Sequence, residues 1–155
     1  MSTRHMSGKW WRSLLRHCGG NAAIELALLA PPLMLLAIGT ADYGFCLYQQ
    51  MEVQNAAQAG AEYARKHGFS AAGISSAITA ATPLSVAATP APAQSCGCPS
   101  GTSITSATCG SVCASGVAAS TYVTANAQAT YTTIVPYPGI ANSYTLAASS
   151  TVRIQ

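Results

Sequence analysis

The sequence predicts an α+β chain: one long amino-terminal transmembrane helix continuing into a small, mostly β, disulfide-linked carboxy-terminal head. Three observations carry this. Only 7% of the 155 residues are charged, against about 25% in ordinary soluble domains. The apolar run from Ala22 to Ala41 holds a single charge, Glu25. After Phe69 the composition turns to Ser, Thr, Ala, Val and Tyr, four cysteines cluster, and Arg153 is the only formal charge left. A chain of this length supports one small core with appendages.

Residues 1–20 form a basic leader, with Arg4, Lys9, Arg12 and Arg16 and no acid among them. Trp10 and Trp11 are placed as interfacial aromatics. Basic residues beside an apolar run orient a membrane helix with its amino end in the cytoplasm. Nucleic acid is excluded as a partner, because no basic stripe with stacking aromatics accompanies the charge. The uncharged stretch 26–41 covers only ~24 Å of helix, short of a hydrocarbon core of about 30 Å. Extension from Ala22 to Tyr48 gives ~40 Å, with Glu25 and Asp42 near the two ends and Tyr43, Phe45 and Tyr48 at the far interface. Pro31 and Pro32 each remove an amide donor, so a kink is expected there.

Helical spacing continues outward to His67. Leu47, Met51, Ala57, Ala61 and Ala64 share one side, leaving Glu52, Gln58 and Glu62 on others. Arg65, Lys66 and His67 suit the negative end of the helix dipole, and Gly68 the residue just past it. The small residues Ala56, Ala57, Ala59, Gly60 and Ala61 admit two readings, a close approach by another helix or a poorly packed surface. The head then takes residues 68–155. Ser70 fits an N-cap for a short helix with Ile74, Ala77 and Ile78 on one side, ending before Pro83. T-P-L-S-V-A-A-T-P-A-P-A-Q-S reads as a linker or loop. One strand lies within 122–135 and another carries Leu146, Ala148, Ser150, Val152 and Ile154 on one face at period two. P-Y-P-G at 136–139 turns the chain between them.

Cys96, Cys98, Cys109 and Cys113 fall in a Gly/Ser/Thr-rich loop spanning 94–114. Outside the cytoplasm such cysteines oxidise. Four cysteines permit three pairings. Bonding Cys96 to Cys98 is strained, so two bridges between the C-G-C and C-G-S-V-C arms are expected. A four-thiolate zinc site is the competing reading, but the spacing departs from paired C-x-x-C. No metal and no other cofactor is expected.

The stretch G-N-A-A-I-E-L-A-L-L-A-P-P-L, the helix N-A-A-Q-A-G-A-E-Y-A-R and the ending Y-T-T-I-V-P-Y-P-G-I…L-A-A-S-S-T-V-R-I together resemble the TadE-like family of minor pseudopilins. These proteins belong to Tad (Flp-type) pilus systems, a branch of type IV pili. The cysteine-containing middle is not part of the resemblance. It implies cleavage by a prepilin peptidase after Gly20, making Asn21 the new amino terminus and Glu25 the fifth mature residue. It also implies a pilin-like helix over 21–67, in the bacterial inner membrane with the carboxy end periplasmic. Implied partners are other pilins, the peptidase, the inner-membrane assembly platform and the lipid bilayer, for a pilus used in adhesion, biofilm formation and surface attachment. Flp major pilins place Tyr after this glutamate, whereas Leu26 follows here, which favours a minor component. Glu25 then has a physical role. A carboxylate in apolar surroundings needs a partner, and the ammonium of a neighbouring copy's Asn21 supplies one. At about 4 Å and an effective dielectric near 20 that attraction is ~4 kcal/mol before desolvation. A misplaced subunit leaves both charges unpaired, so Glu25 sets register.

Three rivals stand beside this. A signal peptidase cutting after G-T-A at 39–41 would release a secreted disulfide domain beginning at Asp42. An uncleaved, membrane-anchored assembly factor or adhesin would keep its leader. An envelope enzyme is disfavoured. The only histidine beyond the membrane is His67, and no acid follows Glu62, so neither a triad nor a carboxylate pair can be built in the head.

Overall fold

The computed structural model describes residues 20–136, Gly139 and residues 141–154. The basic leader with Trp10, Trp11 and Cys18 lies outside the described residues. So do Tyr137 and Pro138 of the expected turn. The chain divides into two units at Ala41/Asp42. The first contains the apolar half of α1, the 48-residue helix Gly20–His67. None of its most apolar 18-residue stretch is buried, and α1 is long and apolar enough to cross a membrane once.

The second unit, Asp42–Gln155, is the head. It comprises the outer half of α1, the short helix α2 (Ala71–Ala80) and strands β1 (Ala93–Ser100), β2 (Ser103–Ser106), β3 (Ser120–Thr132) and β4 (Ser143–Arg153). The strands form one sheet in the order β2-β1-β3-β4, antiparallel throughout. The fold class is therefore α+β, as the composition predicts. Ser70 caps α2, its Oγ accepting from Gly73 N at 3.3 Å, and Ile74 and Ile78 are fully buried.

Packing follows the strand alternation. Val123, Ala125, Ala127, Ala129 and Tyr131 are buried on β3. Val152, Ser150, Ala148, Leu146 and Tyr144 stand directly opposite on β4. Val53, Ala56, Ala57, Ala61 and Ala64 of α1 complete the core with α2. The stripe differs from the sequence reading at its start. Ala57, Ala61 and Ala64 are buried, but Leu47 and Met51 are 46% and 55% exposed. The packed line passes instead through Asp42, Cys46 and Val53, because the sheet is lined by alanines and takes a helix face of small residues. The small-residue stripe is thus covered by the chain's own sheet and by the short helix α2, which approaches closely at Gly60. At Gly60 an added Cβ would lie 2.6 Å from Ile78 Cγ1 and 3.1 Å from Ala125 Cβ.

The expected linker is also more ordered than its Pro/Ala content suggests. Ala87 exchanges two 2.8 Å backbone hydrogen bonds with Gln128, Val86 is buried, and Thr82 Oγ1 donates to Glu52 at 2.8 Å. The cysteine loop contains the β1–β2 hairpin, turning at Gly101 with φ +60°. Large apolar alternation is missing there, so the strands left no periodic signal. Cys96 bonds Cys109 and Cys98 bonds Cys113, joining the two arms as expected.

The bridges compensate for a thin core whose largest fully buried side chains are two isoleucines and two valines. Each closes a loop for which chain-entropy arguments give ~3 kcal/mol. Replacing Cys98 and Cys113 together by serine is expected to lower the unfolding free energy of the detergent-solubilised chain by that order, read as a lower urea midpoint. It should also expose residues 97–119 to protease. An unchanged midpoint would show that this bridge adds nothing.

Candidate assembly site

The sequence-selected residues Gly20, Asn21, Glu25, Pro31 and Pro32 all fall in α1 within the first unit. Glu25 is exposed, between Ile24 and Leu26 that are 71% and 66% exposed. Leu28, Leu29, Leu33, Met34, Leu35 and Leu36 are exposed as well, so the segment is apolar all round. Such a helix is stable only against lipid or other helices. Among the described residues, the ion pairs are those of Glu62 with Arg65 and Lys66. Glu25 has no ion-pair partner among them. α1 remains helical through Pro31 and Pro32, whose missing amides leave the carbonyls four residues earlier, at Ala27 and Leu28, without intrahelical donors.

Asp42 marks the end of the lipid-compatible stretch. It is buried, and its Oδ1 accepts from the Tyr131 hydroxyl and from Ile134 N at 3.1 Å. The same hydroxyl lies 2.9 Å from the Asp42 carbonyl oxygen. The Asp42 hydrogen bond, then burial, pushes the Tyr131 phenol up to about 12. Asp42 therefore belongs to the head unit. Ala22–Ala41 alone provides ~30 Å of helix, which matches a hydrocarbon core without extension. Tyr43, Phe45 and Tyr48 stay exposed, in keeping with aromatics at an interface.

Sequence reasoning did not find this node, whose partners are 89 and 92 residues apart. The available signal was Asp42 itself, an acid ending an apolar run with no local partner. Farther out, Glu62 receives the Arg65 guanidinium at 2.6 and 2.8 Å and Lys66 at 3.3 Å. These hydrogen bonds lower its carboxyl to about 2. The group is a solvated helix-end cluster and carries no chemistry.

With the cysteines in disulfides, only Cys46 remains a free thiol among the described residues, and no cluster of metal-ligating side chains occurs among them. A family model described as TadE-like protein matches residues 20–62. Neither the curated proteins nor the solved structures give a match. The family match begins at Gly20, covers Glu25 and both prolines, and ends before the strands.

Proposed function

Because the chain is TadE-like over residues 20–62, and that family is associated with Tad pili, we propose that it is a minor pseudopilin processed after Gly20. Its work is structural: it primes, caps or joins a pilus used in attachment. The observation that carries this reading is Glu25, an exposed carboxylate with no ion-pair partner among the described residues, on a helix otherwise suited to lipid. Cleavage would place an ammonium at Asn21, one helical turn before Glu25. In a bundle of subunits, that ammonium on one copy and Glu25 on the next complete each other. The turn weakened by Pro31 and Pro32 lets the helix bend to follow a bundle. The basic leader holds the amino end in the cytoplasm, which leaves the oxidised head on the periplasmic side where its disulfides persist.

The test is the intact mass of protein extracted from membranes of cells that carry the prepilin peptidase. A chain beginning at Asn21 is expected. Retention of residues 1–20 would favour the uncleaved assembly factor, and a start at Asp42 a secreted domain; either outcome removes the proposed pairing. Glu25→Ala is expected to insert and be processed normally yet to be lost from sheared pili. Normal piliation by that variant would sink the register role.

A further inference from the structure

The longest unpaired line of backbone groups among the strands is the outer edge of β4, which is bonded only to β3. Ile154 N donates to Thr121 O at 3.0 Å, so even-numbered residues at this end turn their amides inward. Odd-numbered residues turn theirs outward. Gln50 Nε2 donates to Ala147 O at 3.1 Å from the α1 side, in agreement with that alternation. Gln50, Gln54 and Gln58 repeat every four residues, ~6.0 Å along a helix, close to the ~6.8 Å of two strand residues. The row therefore follows the edge, and Gln54 and Gln58 line a groove of about 210 Å³ with Ala147, Ala148, Ser149 and Ser150. Sheet edges are ordinarily blunted by Lys, Pro or a bulge. From Ser143 to Val152 the strand carries no charge and no proline.

The opposite edge is β2, all four residues of which are exposed. Pro99 pairs with Ile104 and has no amide to give, and Ala107 N donates inward to Cys96 O. Ile104 and Ser106 therefore present their backbone groups outward. Strand directions decide what these edges can join. Asp42 meets Tyr131 opposite Tyr144, and Gly60 meets Ala125 opposite Ser150, so α1 and β4 run the same way. Three antiparallel steps make β2 run against β4.

We propose that the β4 edge of one copy receives β2 of a second copy, with Ser106 against Ser149 and Ile104 against Thr151. Copies held in one membrane carry α1 in a common direction. Side by side, they bring β2 antiparallel to β4, whereas pairing β4 antiparallel to β4 would oppose the two helices. Ser106 lies level with Gly97 and Ser120, and Ser149 with Asn126, so both side chains stand on the sheet face away from α1. β2 is uncharged, β4 is uncharged from Ser143 to Val152, and both are rich in hydroxyls, so the rung itself buries no charge. A four-residue rung is far below the ~1,200 Å² of a stable complex. It acts only among copies already concentrated by a shared membrane or filament. The contact is heterologous, so each copy offers one edge and receives the other, and it extends from copy to copy as a row or ring. From the pilus reading this inference takes only the common direction of the anchored copies.

Two differently tagged full-length chains, Ser106→Cys and Ser149→Cys, are expressed together in membranes without other pilus proteins or the peptidase, then mildly oxidised. A thiol-reversible mixed dimer, absent from the parent and from each variant alone, is expected. Adding Thr151→Pro to the Ser149→Cys chain removes one outward amide and should abolish that dimer, while the native disulfides still form. Cross-linking of Ser149→Cys to itself in preference, or no mixed dimer between two membrane-inserted chains, would overturn the proposal. Failure of the pilus reading shows separately, as a mature terminus other than Asn21.

Discussion

Asp42→Ala is expected to destabilise the head by about 1–3 kcal/mol, because it takes the carboxylate from a buried hydroxyl, which keeps only the backbone carbonyl of residue 42, and from a part-buried amide. Those donors are the Tyr131 hydroxyl and Ile134 N. Asp42→Asn keeps a side-chain oxygen and should lose less. Tyr131→Phe leaves the Ile134 bond intact and should cost about 1–3 kcal/mol. The node also predicts an alkaline transition. Tyr131 in the folded head titrates near 12 against an ordinary value of 10. A group with a raised folded value contributes stability that is complete below the unfolded value and fades as pH rises through the folded one. Stability should thus fall between about pH 10 and 12 as the tyrosinate faces the Asp42 carboxylate, and tyrosinate absorbance should show one late-titrating ring. Tyr131→Phe should remove both signals. A midpoint for Asp42→Ala equal to wild type in urea unfolding would mean that water satisfies the donors and the node is unimportant.

The node also shows where the sequence was legible and where it was not. Ser70, Ile74 and Ile78 define α2 because a cap and a 3.6-residue stripe are local features. Leu146, Ala148, Ser150, Val152 and Ile154 define β4 for the same reason at period two. The two-arm pairing of the cysteines followed from the strain of bonding Cys96 to Cys98. The β1–β2 hairpin was invisible because Q-S-C-G-C-P-S holds no large apolar residue to alternate. Its strand state comes from bonding to β3 and from the bridges. Leu47 and Met51 misled because the pattern weighs size, whereas an alanine-lined sheet selects smallness. In the membrane segment Glu25 was legible through its chemistry, since one carboxylate in an apolar run requires an explanation. Asp42 was equally anomalous, but its partners lie in the last third of the chain.

Gly60→Leu is expected to be more damaging than any change to a surface glycine of α1. Its Cβ would meet Ile78 Cγ1 at 2.6 Å, Ile78 Cδ1 at 3.0 Å and Ala125 Cβ at 3.1 Å. Ile78 is fully buried and Ala125 belongs to β3, so relief requires α1 to lift from the sheet. Overpacking of this kind costs about 1–3 kcal/mol or more, which outweighs the ~1 kcal/mol gained by removing a helical glycine. Gly60→Ala tests the same balance at its smallest step and should still be destabilising. Gly44 provides the control, with nothing within 4 Å of its added Cβ; Gly44→Ala should stabilise by about 0.5–1 kcal/mol. If Ile78 is the obstruction, Ile78→Ala, which removes Cγ1 and Cδ1, should cost less in a Gly60→Ala background than alone, a coupling that a double-mutant cycle in urea isolates. Additive effects would place the clash elsewhere. Stabilisation by Gly60→Ala would mean that α1 does not rest on β3 at the distance described.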